Sequence, residues 1–78
     1  MIYRFSQCEL DTERLELRRD GEFQAVEPQV FSVLVYLIEQ REHVVSKDDL
    51  IDAVWAGRIV SDATLSSRIN AARRAVGE

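Results

Sequence analysis

The residues best placed to do chemistry fall late in the chain, in Ser61–Val76, which reads S-D-A-T-L-S-S-R-I-N-A-A-R-R-A-V. With Leu65 at the origin of a wheel turning about 100° per residue, Leu65, Ile69, Ala72 and Val76 share a narrow apolar wedge. Ala63, Ser66, Ser67, Asn70 and Arg74 fall opposite it, and Arg68 and Arg73 flank the two sides. After Asp62 the segment has no acid. Small residues let a helix backbone approach another surface closely. Asn offers a paired donor and acceptor, and Arg offers a fork of donors. A helix entering the major groove of a nucleic-acid duplex presents such a face. The same pattern also suits a solvated amphipathic surface helix, and the rest of the chain must decide between them.

Other reactive groups are few. Cys8 is the single cysteine, so an internal disulfide is impossible and no second thiol supports a metal site. It reads as a small, semi-buried side chain. His43, the single histidine, has no partner spaced for hydrolysis or zinc binding and reads as a solvent-facing loop residue. Asp48 and Asp49 are better explained by a helix start than by acid–base work. No nucleophile–base pair, metal-ligand cluster or phosphate loop is present, so neither enzyme activity, a cofactor nor a bound metal is expected.

The elements that position the late helix follow from 78 residues of ordinary globular composition, 46% apolar and 31% charged. This length allows one domain, 1–78. No apolar run approaches the ~18 residues of a membrane span, and the N-terminus lacks a signal-peptide layout. A cytoplasmic location without direct membrane contact is expected. The net charge of −4 argues against a generic polyanion binder, but the charge is unevenly spread. Residues 1–57 hold six basic and twelve acidic groups, whereas 58–78 hold Arg58, Arg68, Arg73 and Arg74 against Asp62 and Glu78. Binding to nucleic acid needs a local basic surface rather than a basic total. Four arginines make a modest supply, so affinity from this chain alone should be weak and salt-sensitive.

Residues 1–26 read as an antiparallel β-meander: Ile2–Ser6, Cys8–Asp11, Arg14–Arg18 and Glu22–Val26. Tyr3 and Phe5 fall on one side of the first strand. Leu15 and Leu17 form the greasy face of the third, and Asp20-Gly21 is a hairpin turn. Residues 27–78 read as three helices. Pro28 opens the first, which carries Val30, Phe31, Leu34, Val35, Leu37 and Ile38 at helical spacing through Gln40. Val44-Val45 suggests a short extended link. Ser46 caps a second helix with inner stripe Leu50, Ile51, Val54 and Trp55, stopped by Ala56-Gly57. Ser61-Asp62 caps the third, about 22 Å long, with Gly77 beyond its end.

The order helix–link–helix–loop–helix is a helix-turn-helix layout. Three motifs carry a more specific likeness: Glu27-Pro28-x-x-Phe31-x-x-Leu34; Val44-Val45-Ser46-Lys47-x-x-Leu50-x-x-Ala53-Val54-Trp55; and Val60-Ser61-Asp62-x-Thr64-Leu65-x-x-x-Ile69-x-x-x-Arg73. Together they resemble the OmpR/PhoB-type winged-helix DNA-binding domain over essentially the whole chain. The resemblance implies an α+β winged helix-turn-helix with an N-terminal meander and a double-stranded DNA partner. It implies that Ser66, Ser67, Asn70 and Arg74 face base edges, and that Thr64, Arg68, Arg73 and Trp55 lie near phosphates. Starting at Met1 without a receiver domain ahead, the chain resembles the N-terminal module of a one-component bacterial transcriptional regulator.

Departures from the pattern set further expectations. The third helix is less basic than is common in the family, with alanine at 63 and 71. The C-terminal wing hairpin of the family is missing before the sequence ends, which fits either a segment of a longer protein or a wingless variant. Both would leave an unpaired strand edge and a partly uncovered core, predicting a homodimer or strand-exchanged oligomer. The acidic total and the missing wing also fit an alternative: a protein-interaction or oligomerisation module with winged-helix shape and no DNA binding.

Overall fold

The computed structural model describes residues 1–77. Its order is β1 (Ile2–Phe5), β2 (Cys8–Asp11), β3 (Glu16–Arg19), β4 (Glu22–Gln24), α1 (Pro28–Glu39), α2 (Lys47–Trp55) and α3 (Asp62–Ala75). The strands form one antiparallel sheet in sequence order. This is the expected α+β arrangement of a meander followed by three helices.

Turn chemistry sets the meander. Asp20 and Gly21 both adopt positive φ, as a two-residue hairpin whose twist matches its strands requires. One face of the sheet carries the cross-strand rows Tyr3–Leu10–Leu17 and Phe5–Cys8–Arg19. Cys8, Leu10 and Leu17 are buried, while Tyr3 and Phe5 are half-buried. The other face carries the row Arg4–Glu9–Arg18. The Arg4–Glu9 pair there, 3.3 Å apart, is solvent-exposed and contributes little beyond solubility.

The second hairpin departs from the sequence pattern. One Asp11 carboxylate oxygen accepts from the backbone N–H groups of Glu13 and Arg14, at 3.0 and 3.1 Å, and winds residues 12–15 into a turn. The third strand therefore starts at Glu16 rather than Arg14. Leu15, placed on the greasy face by alternation, sits in that turn at φ 55° and is 69% exposed. These N–H donors, the Arg14 one foremost, hold the Asp11 carboxyl below its ordinary pKa. The return strand spans only Glu22–Gln24, shorter than the expected run to Val26.

α1 starts at Pro28, whose missing N–H costs nothing at a helix start. It is the central spoke: Val30, Phe31, Val33 and Leu34 are buried, and it packs against both α2 and α3. The link after it is not a strand. Val44 is 98% exposed, and Val44-Val45 pairs with no neighbouring strand among the described residues.

α2 opens with a complete capping box. The Ser46 hydroxyl accepts from the Asp49 N–H and the Asp49 carboxylate accepts from the Ser46 N–H, at 3.1 and 3.2 Å. It ends as Ala56 turns left-handed and the Gly57 N–H reaches back to the Ile51 carbonyl.

The core joins Cys8, Leu10 and Leu17 of the sheet to the α1 stripe, Leu50 of α2, and Leu65 and Ala72 of α3. Among the described residues no polar or charged side chain is buried. An open apolar groove of about 390 Å³ lies beside the core, lined by Phe5, Leu34, Ile38, Leu50, Ile69 and Val76 among others. No helix among the described residues is long and apolar enough to cross a membrane.

Candidate nucleic-acid interface

The interface is built from α3 outward. Ser61 caps this helix, its hydroxyl accepting from the Thr64 N–H at 3.1 Å and donating to the Thr64 hydroxyl at 2.9 Å. Asp62 lies in its first turn, and Arg73 and Arg74 lie in its last. This order of charges opposes the helix macrodipole at both ends and stabilises the helix. Leu65 and Ala72 are buried, with Ile69 and Val76 half-buried beside them. This is the wedge expected from the wheel.

The opposite face is open. Ala63, Ser66, Ser67, Asn70 and Arg74 are all exposed, as is Arg73. The structure thus brings Ser66, Ser67, Asn70 and Arg74 onto one free helix face, and none is walled in by the fold. Thr64 and Arg68 are half-buried on the flank that meets α1. A shallow notch there is lined by Ala25, Glu27, Ser67, Arg68, Ala71 and Arg74, among others. Trp55 lies apart from this helix, at the last residue of α2. It is half-buried against the core, and its indole N–H has no protein partner among the described residues.

Two residues that shape this face carried no signal in the sequence. Gln29, in the first turn of α1, accepts at Oε1 from Arg68 Nε at 3.2 Å. Arg19, at the end of β3, donates from Nη1 to the Arg74 carbonyl at 3.2 Å. The Cys8 thiol points at the Val76 carbonyl, 3.8 Å away. The last turn of α3 is therefore clasped to the sheet. Burial pushes the Cys8 thiol pKa up, against a smaller opposing effect of Arg19.

The comparisons with known proteins bear on this arrangement. The sequence profile of the family described as "Transcriptional regulatory protein, C terminal" matches residues 21–78. The chain belongs to this family. It is a domain of the transcriptional-regulator, DNA-binding kind, and the OmpR/PhoB-type resemblance holds. The chain is 30% identical over 61 residues to the transcriptional activator CadC of Escherichia coli K12, covering 78% of itself and 12% of CadC. It is 38% identical over 53 residues to the transcriptional regulator HilA of Salmonella typhimurium, covering 68% of itself and 10% of HilA. The chain thus spans about a tenth of the length of these relatives.

Solved structures share the fold. The response regulator DrrB of Thermotoga maritima, an OmpR/PhoB homologue, superposes with a TM-score of 0.87 at 22% identity, over 99% of this chain and 35% of DrrB. The DNA-binding domain of CpxR from E. coli gives 0.82 at 24% identity, over 95% of this chain and 74% of that one. The Klebsiella pneumoniae RstA DNA-binding domain, solved in complex with the RstA box, gives 0.81 at 17% identity, over 96% of this chain and 75% of that one.

Proposed function

We propose that this domain binds double-stranded DNA by laying α3 in the major groove, as the DNA-reading module of a bacterial transcriptional regulator acting in the cytoplasm. Ser66, Ser67, Asn70 and Arg74 face base edges; Thr64, Arg68, Arg73 and Trp55 face phosphates. The observation that carries this reading is the exposure of all four base-facing side chains on the face opposite buried Leu65 and Ala72. The outward residues are small, amide-bearing or cationic, as close approach and edge readout need. The RstA DNA-binding domain, of the same fold, is solved in complex with the RstA box. The domain's part is binding rather than catalysis, since its family and relatives are regulators.

The test is duplex binding by Asn70→Ala and Arg74→Ala against a selected target. Each substitution should cost about 1–3 kcal/mol and relax sequence preference at the base it meets. Unchanged affinity at both positions would reject the assigned face.

A second reading has one observation in its favour. The apolar groove beside α3 leaves Phe5, Ile38 and Ile69 open to a partner surface. On this reading the domain is a protein-interaction or oligomerisation module of winged-helix shape that does not bind DNA, and forms a homodimer or strand-exchanged oligomer. Light scattering that finds only monomer at high concentration would remove it. Salt-insensitive self-association without duplex binding would favour it over DNA reading.

A further inference from the structure

We infer that Gln29 is a positioning residue that fixes the Arg68 guanidinium for a phosphate of the duplex. The inference rests on the reading of α3 as the DNA-contacting helix and adds to it a residue from another element.

Gln29 and Arg68 are 39 residues apart, and their contact joins the start of α1 to the flank of α3. Gln29 and its contact with Arg68 are exposed, but the backbone that carries Gln29 is held in place. Pro28 before it locks the backbone at the helix start, and Val30 and Phe31 after it are buried in the core. Its amide oxygen takes the Nε–H of Arg68 at 3.2 Å. That bond occupies the inner donor of the guanidinium. Among the described residues the outer amino groups have no protein partner, so the fork that suits a phosphate stays free.

The choice of an amide matters. A carboxylate at residue 29 would hold the guanidinium as well but would cancel its charge. Gln orients Arg68 and leaves the cation intact. The surroundings preserve that charge. The first turn of α1 contains no acid, its N–H groups receive no side-chain cap, and among the described residues Glu27 is the one carboxylate lining the notch. The positive end of α1 adds to the field on this flank. An untethered Arg samples many rotamers and must give up that freedom on binding. A tethered one has already lost it, so its phosphate contact forms at lower entropic cost.

The experiment measures binding of the whole chain to a short mixed-sequence duplex across a salt series, for Q29A, Q29E, R68A and Q29A/R68A. Phosphate contacts act on any sequence, so no operator is required. R68A should weaken binding and lower the salt slope by about one. Q29A should weaken binding by about three- to tenfold in the otherwise native chain, the scale of roughly one modest contact. It should change binding less than about twofold when Arg68 is already Ala, the signature of action through Arg68. Q29E, which neutralises the cation, should bind more weakly than Q29A. Without DNA, the Arg68 Nε–H resonance should be slowed in exchange in the native chain and lose that protection in Q29A.

An equal loss from Q29A in both backgrounds would overturn the inference, as would no loss with Arg68 present. Should R68A weaken binding while Q29A does not, the inference falls and the DNA reading stands. Should R68A bind as the native chain does, the phosphate role of Arg68 falls and takes the inference with it.

Discussion

Arg19 of β3 holds the carbonyl of Arg74, a residue 55 positions later, across a 3.2 Å hydrogen bond. The same carbonyl accepts from the Gly77 N–H at 3.1 Å. A cation from the meander thus completes the negative end of the helix that carries the outward polar face. The four-stranded sheet is part of the apparatus that aims α3, in addition to its share of the core.

Replacing Arg19 with Ala should loosen the last turn of α3. A charged donor to a helix-end carbonyl on a half-exposed side chain contributes about 1 kcal/mol. Urea melts of Arg19→Ala should show a loss of this size. Amide exchange should speed up at Val76 and Gly77 while the α1 core amides stay protected. Arg19→Lys should restore part of the loss.

Neighbouring α3 residues should respond very unequally to the same truncation. Leu65 is buried, so Leu65→Ala should cost about 2–5 kcal/mol, enough to unfold much of a domain this small. Ser66 next to it is exposed, so Ser66→Ala should change stability by less than about 0.5 kcal/mol. Paired thermal melts check this, and comparable losses at both positions would refute the assigned rotation of α3.

Leu15 offers a stabilising change. It sits at φ 55°, where an L side chain crowds its own carbonyl, and it is 69% exposed. Leu15→Gly removes the crowding and little buried surface, and the added freedom of the unfolded chain offsets part of the gain. A net stabilisation of roughly 0.5–1 kcal/mol is expected by denaturant melting.

Asp11 sets an acid-side dependence. Its carboxyl pKa is lowered in the folded chain, first by the Arg14 N–H and then by the Glu13 N–H. A depressed carboxyl stabilises the fold above its unfolded pKa, near 3.9, and that contribution is lost as pH falls through the lower folded value. Asp11→Asn should lose stability at neutral pH and melt with a flatter dependence on acid between about pH 5 and 2. An unchanged acid profile would show that the turn over residues 12–15 does not depend on the ionised carboxylate.

What was legible in the sequence was local. Ser46 and Ser61 announce the two later helices because a cap acts within four residues. Pro28 marks the first for the same reason, and Asp20-Gly21 fixes a hairpin through its own backbone preference. The rotation of α3 followed from the helical spacing of Leu65, Ile69, Ala72 and Val76. What escaped depended on competition or on distance. Alternation put Leu15 beside Leu17, but it takes no account of the Asp11 carboxylate capturing two N–H groups and turning the chain there. Val44-Val45 looked extended because both are β-branched, yet the described residues offer it no partner strand. Val33 is not among the α1 residues named for the core, yet it is buried, as the wide apolar arc of that helix allows. The contacts of Gln29 with Arg68 and of Arg19 with Arg74 exist only once the elements have packed.

An interior made wholly of hydrocarbon and one thiol has a practical consequence. Among the described residues every charge lies toward the surface, where electrolyte screens it, so a sodium chloride series acts on contacts such as Arg4–Glu9 and Arg19–Arg74 as well as on any duplex contact. Melting the free domain at each salt concentration therefore separates the fold's own response from the share of the grip that the outer arginines supply.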